Sequence, residues 1–164
     1  VHNVEEGGKE LTAEHVDAII GHLKRLADYV LLDLGNGLYP AVQAAVKHCD
    51  YIVIPVEPDP FALSLAQSMV VGLASMDVRA GQLGFVLVNR SRSATTYTRS
   101  AIEELLQSPL IGVITPAPEL FFHAAKVRMP IFVSQPDGLT ATQFRELAHS
   151  LMSGASAPQA RGQL

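Results

Sequence analysis

Residues 28–37 read Asp-Tyr-Val-Leu-Leu-Asp-Leu-Gly-Asn-Gly, and this stretch decides which fold the sequence predicts. Its segment 29–34 is short and apolar except for Asp33, and Gly35 follows it directly. Short apolar runs that end at a turn residue are typical of strands buried on both faces of a parallel sheet. We therefore predict a buried strand over 29–34, with Asp33 at its carboxyl end.

Apolar strands and amphipathic helices alternate along the rest of the chain. Further strands are predicted at 51–56, 83–88, 110–114 and 131–133. Helices are predicted at 12–26, 38–48, 61–76, 95–107, 119–128 and 139–152. Because this alternation is typical of βαβ units, we predict a three-layer α/β fold with a mainly parallel sheet, formed by a single domain over 1–152. The tail at 153–164, rich in Ser, Ala, Pro, Gln and Gly, is expected to be disordered.

The composition of the 164 residues is that of a globular protein, with 48% hydrophobic and 17% charged side chains. No apolar run approaches the roughly 18 residues that a membrane-spanning helix needs, and no secretory signal pattern is seen. The single cysteine, Cys49, cannot form an internal disulfide, so a reducing cytoplasm is expected. The net charge of −4 and the mild basic excess in 60–164 predict weak or no nucleic-acid binding.

The first candidate site follows the strand at 29–34, because ligands of parallel sheets bind beyond the carboxyl ends of the strands. Asp33 could hold Mg²⁺ directly or through a water, since magnesium prefers hard oxygen ligands and keeps much of its hydration shell. Gly35 and Gly37 would let the loop approach a phosphate and move when the phosphate leaves. The same residues also suit an ordinary turn in which the aspartate caps the next helix, so local sequence leaves both roles open.

A second and a third candidate segment follow the strands predicted at 83–88 and 110–114. The amide of Asn89 carries both a donor and an acceptor, and can bind a purine edge; Arg90 comes directly after it. Pro116 and Pro118 fix a rigid turn around Ala117, and the backbone carbonyls of this turn could face a ligand. Each segment also fits an ordinary loop that ends a strand.

A phosphate-binding loop is not found in the sequence. Residues 6–10 read Glu-Gly-Gly-Lys-Glu, without GxxxxGK[ST] spacing, a Ser or Thr after the lysine, or a preceding strand. We therefore expect no nucleotide bound to this chain alone and no ATP turnover by it, because phosphoryl transfer needs that cradle and its lysine.

The order of the segments resembles that of MinD/ParA-type ATPases, a P-loop family with a deviant Walker A motif. Residues 28–37 are similar to the family's DYVIIDxPPG strand and switch, and Phe-Arg-Glu-Leu-Ala at 144–148 is similar to its closing FRxLA helix. Three further segments carry the resemblance: Tyr-Ile-Val-Ile-Pro-Val-Glu-Pro-Asp-Pro at 51–60, Phe-Val-Leu-Val-Asn-Arg at 85–90, and 114–130, which begins Ile-Thr-Pro-Ala-Pro and ends Ala-Lys-Val-Arg-Met-Pro. The resemblance covers about residues 12–152 and implies a fragment that follows the family's phosphate loop and first strands.

Among these relatives, the CpaE type of pilus-assembly ATPase is the most similar, because a helix beginning like Leu-Thr-Ala-Glu-His-Val at 11–16 often precedes its DYVxxD strand. Such proteins commonly carry a response-regulator-like receiver domain. The resemblance implies ATP and Mg²⁺ as ligands of the intact protein, a homodimer that forms with ATP, and a protein partner that it positions. The basic amphipathic helix by which MinD binds membranes has no counterpart, so no membrane anchor is expected in this chain.

The resemblance also implies roles for the candidate residues. Asp33 would organise Mg²⁺ and the attacking water, while Gly35 and Gly37 would sense the γ-phosphate. Asn89, Arg90 and the turn Pro116-Ala117-Pro118 would frame the adenine.

Two departures from the family pattern leave an alternative open. Gly-Asn-Gly at 35–37 replaces Pro-Pro-Gly, and Arg128-Met129 stands where Gly-Lys or Gly-Glu is common. The alternative is a degenerate, non-hydrolysing member of the fold that serves as an assembly, localisation or regulatory module. In the family, the phosphate-loop strand lies between the strands equivalent to 29–34 and 51–56. Without it, either these two strands pair directly through a right-handed crossover or a strand of another chain fills the slot, and we predict direct pairing.

Overall fold

The computed structural model describes residues 11–90 and 97–152. The strands are β1 (Ile52–Val56), β2 (Leu83–Val88) and β3 (Leu110–Ile114), and a 3₁₀ turn over Ala80–Gln82 precedes β2. The helices are α1 (Ala13–Leu26), α2 (Pro40–Val46), α3 (Pro60–Ala74), α4 (Arg99–Leu106), α5 (Pro118–Val127), α6 (Ile131–Ser134) and α7 (Leu139–Met152). The chain divides into two compact units, Val1–Asp50 and Tyr51–Leu164, while a single domain over 1–152 stays a prediction.

The second unit is built on a parallel sheet in the order β1-β2-β3. The middle strand reads Leu-Gly-Phe-Val-Leu-Val, and Phe85 at its centre is fully buried. Helices α3 and α4 connect the successive strands, and Nε2 of Gln67 in α3 donates to the carbonyl of Leu105 in α4 at 3.0 Å. Helix α7 packs against β3. The predicted α/β class with a parallel sheet is therefore confirmed.

The helices that connect these strands begin where the sequence supplies an N-cap. Asp59 Oδ1 accepts from the backbone N–H groups of Phe61 and Ala62, both at 3.0 Å, and Pro60 occupies the first helical position of α3. Thr98 Oγ1 accepts from the N–H of Ala101 at 3.2 Å. Side-chain oxygens at these positions satisfy N–H groups that have no partner within the helix, which fixes where α3 and α4 start.

The first unit contains α1, α2 and the extended segment between them. A small apolar core is formed by Val16, Ile20, Ala44 and Ala45, against which Leu32, Leu34 and Ala41 pack.

Segment 29–34 is not a strand, and this corrects the prediction of a buried one. Its exposure alternates along the chain: Leu32 and Leu34 face the apolar core, whereas Tyr29 is 66% and Leu31 94% exposed. A strand also needs a hydrogen-bonded neighbour, and in the described part of the chain the sheet consists only of β1, β2 and β3. The predicted direct pairing of 29–34 with 51–56 is therefore wrong.

Segment 131–133 is also corrected, because it forms the short helix α6 instead of a strand. The carbonyl of Pro130 accepts from the N–H groups of Val133 and Ser134, both at 3.0 Å, which closes a helical turn. Ile131 is buried while the two residues after it are exposed, so the apolar run does not mark a strand covered on both faces. The predicted disordered tail at 153–164 lies outside the described residues.

Candidate functional site

Asp33 begins a tight turn in the first unit. Its Oδ1 accepts from the N–H of Gly35 at 3.1 Å, and its side chain is exposed. Gly35 and Gly37 have φ values of 63° and 95°, in the left-handed region that side chains with a Cβ rarely adopt. The two glycines are therefore required by the backbone path that follows the carboxylate.

The carboxylate of Asp33 is of the type that binds Mg²⁺. No group of three or more His, Cys, Asp or Glu side chains that could hold a metal ion is found in 11–90 or 97–152. A single carboxylate still suits magnesium, because the ion usually keeps several waters and binds through one or two carboxylates together with substrate phosphates. Asp33 can take that role with its carboxylate, and an all-protein cage is not needed.

Asn89 and the loop at 115–118 are neighbours in the second unit. The backbone N–H of Asn89 donates to the carbonyl of Ile114 at 2.9 Å, which extends the pairing of β2 with β3 by one residue. Because both strands run in the same direction, the residues that follow them emerge at one edge of the sheet. The structure thus brings together two segments that are 26 residues apart and that the resemblance assigns to one adenine site.

The loop at 115–118 is fixed at both ends. Gln143 in α7 uses one atom, Oε1, to accept from the backbone N–H and from the hydroxyl of Thr115, each at 3.1 Å. At its other end, Pro118 is the first residue of α5, where its missing N–H costs nothing. Pro116 and Ala117 therefore lie in a short connection held between β3 and α5.

Arg90 forms an ion pair with Glu57, the residue that follows β1. Nη1 of Arg90 lies 3.1 Å from Oε1 of Glu57, and the side chains are 75% and 44% exposed. Since β1 and β2 are adjacent and parallel, this pair joins the carboxyl ends of the two strands. Its position beside Asn89 makes it part of the candidate site.

Sequence reasoning missed Glu57 and Gln143 as members of this site. A signal existed for Glu57, because it follows an apolar strand just as Asn89 does. No such sequence signal existed for Gln143, since it lies on α7 and contacts Thr115 across 28 residues of sequence. The predicted residues themselves fall into two groups: Asp33, Gly35 and Gly37 in the first unit, and Asn89, Arg90 and 116–118 in the second.

Known proteins resemble this chain in sequence or in fold. An uncharacterized ATP-binding protein of Methanocaldococcus jannaschii is 23% identical over 141 residues, covering 85% of this chain and 52% of that protein. A ParA family ATPase from Chlorobium tepidum superposes with a TM-score of 0.75 and 16% identity, covering 85% of this chain and 57% of that chain. MinD from Pyrococcus horikoshii, solved as a complex with Mg-ADP, gives a TM-score of 0.72 and 21% identity, covering 88% of this chain and 59% of that chain. No protein-family model matches the chain.

These similarities confirm the predicted resemblance to MinD/ParA-type P-loop ATPases and the α/β fold that it implied. At these identities the structural likeness shows the fold. The chain spans a little over half the length of each of these three proteins. Within 11–90 and 97–152, no helix has both the length and the apolar character needed to cross a bilayer.

Proposed function

We propose that this chain is the post-phosphate-loop part of a MinD/ParA-like ATPase that binds ATP and Mg²⁺ and dimerises with ATP to position or assemble a protein partner. The observation that carries the proposal is the hydrogen bond from Asn89 to Ile114 at 2.9 Å. It places the Asn-Arg pair beside the Thr-Pro-Ala-Pro loop, at the sheet edge where parallel α/β folds bind ligands. The similarity to a ParA family ATPase and to MinD with Mg-ADP supports a nucleotide as that ligand.

Each unit has its own role in this proposal. In the first unit, Asp33 would hold Mg²⁺ directly or through a water and orient the attacking water, while Gly35 and Gly37 would sense the γ-phosphate. The exposed carboxylate and the two positive φ values support this role, because such a backbone lets N–H groups approach a phosphate closely. When bound, Mg²⁺ would neutralise part of the negative charge on the phosphates.

In the second unit, the base is framed at the carboxyl edge of the sheet. Asn89 offers an amide donor and acceptor to the purine edge, and Arg90 offers guanidinium donors beside it. Pro116, Ala117 and Pro118 form the wall of the base site, held in place by the bonds between Thr115 and Gln143.

The cellular setting is inferred from the CpaE-like features of the sequence. The sequence Leu-Thr-Ala-Glu-His-Val at 11–16 and the DYVxxD-like sequence at 28–33 favour a pilus-assembly ATPase associated with a response regulator, acting in the cytoplasm as a homodimer. Nucleic acid is a weak ligand or none, because the paired arginines 90 and 99 have carboxylate partners at 3.1 Å and the net charge is −4.

A second candidate is a non-hydrolysing assembly module with the same fold. The observation that favours it is Gly-Asn-Gly at 35–37, which stands where the resembled family has Pro-Pro-Gly. Binding of nucleotide without turnover distinguishes this candidate from the ATPase.

The experiment compares the 1–164 chain with the full-length gene product. We expect no ATP turnover by 1–164 above buffer, and Mg²⁺-dependent binding and turnover of ATP by the full-length protein. Asp33→Asn should reduce turnover, whereas Asp28→Asn, the same charge change at an exposed aspartate five residues earlier, should not.

Two results would contradict the proposal. Turnover by 1–164 that is lost in Asp33→Ala would show that the chain needs no upstream phosphate loop. A full-length protein that binds no nucleotide, measured by calorimetry at millimolar ATP and Mg²⁺, would remove the nucleotide-binding function altogether.

A further inference from the structure

We propose that Glu57 is a specificity-determining residue of the base site, which favours adenine by holding the Arg90 guanidinium away from guanine. This inference rests on the proposed function, because it takes Asn89 and Arg90 as neighbours of the base. It gives the Glu57 carboxylate a role in selecting the base, a role that nucleotide binding itself does not require.

The ion pair lies at the edge of the sheet where the base is proposed to bind. Glu57 follows β1, Arg90 follows β2, and the two side chains meet at 3.1 Å across the carboxyl ends of these adjacent strands. Asn89 precedes Arg90 directly, and its backbone is fixed to Ile114. The ion pair therefore borders the segment that frames the base.

The pair contributes little to folding. Both side chains are substantially exposed, at 75% for Arg90 and 44% for Glu57, and exposed ion pairs have small effects on stability. Loss of the Glu57 carboxylate should leave the fold intact and change what the Arg90 guanidinium can bind.

Hydrogen-bond chemistry determines the direction of the effect. Guanine presents two acceptors, O6 and N7, on the edge where adenine presents one acceptor, N7, and one donor, the N6 amino group. A guanidinium carries only donors, so an unpaired Arg90 matches guanine, whereas an amide such as that of Asn89 matches adenine. Glu57 accepts from Nη1, and its carboxylate competes with O6 and N7 of guanine for the remaining guanidinium donors; it thereby weakens the guanine preference of Arg90 and leaves the adenine preference of Asn89.

The test measures the ratio of GTP to ATP affinity in the full-length gene product with Mg²⁺, by competition with a fluorescent ATP analogue. In Glu57→Gln, an isosteric variant, the ratio should rise by about fivefold or more, the discrimination expected of a good bidentate contact to the base. Arg90→Ala should not raise the ratio, and the double variant Glu57→Gln/Arg90→Ala should return it to the wild-type value.

Controls separate this specificity from a change in fold or charge. Asp17→Asn breaks the exposed pair between Asp17 and His48, 2.7 Å apart, and makes the same charge change in the first unit; it should leave the ratio unchanged. Thermal melts followed by circular dichroism check that each variant is folded. Glu57→Ala provides a second route if Glu57→Gln retains a hydrogen bond to Arg90.

The outcomes distinguish the inference from the proposed function. If the wild-type protein binds neither ATP nor GTP, the proposed function fails and the inference fails with it. If ATP binds but neither Glu57 variant changes the ratio, the inference is overturned while the proposed function stands. If the ratio still rises when Arg90 is absent, Glu57 does not act through Arg90, and the inference is overturned as well.

Discussion

Gln143 and Thr115 are joined by two hydrogen bonds that share a single acceptor atom. Oε1 of Gln143 accepts from the backbone N–H and from the hydroxyl of Thr115, each at 3.1 Å, in a partly buried environment. These bonds fasten helix α7 to the end of β3, at the loop proposed to face the base. The contribution of these two hydrogen bonds to stability can be measured, because single substitutions of Gln143 either remove or retain the acceptor oxygen.

We predict that Gln143→Met destabilises the fold by about 1–3 kcal/mol, because two donors of Thr115 lose their partner in a partly buried site. Gln143→Glu should cost less, since a carboxylate oxygen can accept the same two bonds. Urea unfolding measures both, and a shift of the midpoint at constant m-value identifies a change in stability. Equal losses in the two variants would show that these bonds do not hold the loop.

Gly84 in β2 lies against the ring of Tyr51, and any side chain at position 84 would collide with it. A Cβ on residue 84 would meet the Tyr51 hydroxyl and would lie 2.9 Å from Cγ2 of Ile111. We predict that Gly84→Ala costs about 1–3 kcal/mol by overpacking. Tyr51→Phe should relieve part of that cost, so the double variant should lose less than the sum of the single variants, as measured by urea unfolding. If the losses of stability in the two single variants simply add in the double variant, residues 84 and 51 are not in contact.

We also predict that the fold loses stability at alkaline pH because of Tyr51. Its hydroxyl is buried and has no hydrogen-bond partner among the described residues, and burial raises the pKa of Tyr51 above its ordinary value of 10.0. Because the unfolded state ionises first, the stabilisation from this group is fully present below pH 10 and is lost as pH rises through the raised pKa. In Tyr51→Phe, the fall in stability between pH 9 and 11 should be smaller than in the wild type. Identical alkaline profiles, measured by urea unfolding, would contradict the assignment to Tyr51.

Arg128 closes helix α5 in a conformation that favours glycine. Its φ and ψ are 53° and 39°, and the next residue, Met129, donates its N–H to the carbonyl of Ala124 at 3.0 Å. This backbone gives a physical reason for the glycine that the resembled family commonly has at this position. We predict that Arg128→Gly stabilises the fold by up to about 1 kcal/mol, because the strain of a left-handed Cβ is removed.

Lys126→Gly is the matched control for this prediction, because it introduces glycine two residues earlier, inside α5. It should cost about 1 kcal/mol, the ordinary penalty of glycine in a helix. Thermal and urea unfolding of the two variants should therefore shift in opposite directions. A loss in Arg128→Gly as large as that in Lys126→Gly would mean that the Arg128 side chain makes stabilising contacts that outweigh the backbone strain.

The sequence by itself determined those helices and strands whose limits depend only on residues next to them in the chain. The strands at 83–88 and 110–114 are found with the predicted bounds, because each is a short apolar run between turn residues. Helix α3 starts as Asp59 and Pro60 dictate, since a cap acts within one turn. The candidate positions after β2 and β3 were also foreseeable, because parallel strands place their carboxyl ends at one edge.

The tertiary structure alone decided which segments and side chains meet. Residues 29–34 have a strand-like sequence, yet a strand exists only where another supplies hydrogen bonds, and no local pattern encodes that neighbour. The contacts of Glu57 with Arg90 and of Gln143 with Thr115 span 33 and 28 residues, and chain folding brings them together. Local propensity acts over a few residues, whereas strand pairing and side-chain partnership depend on distances that only the folded chain defines.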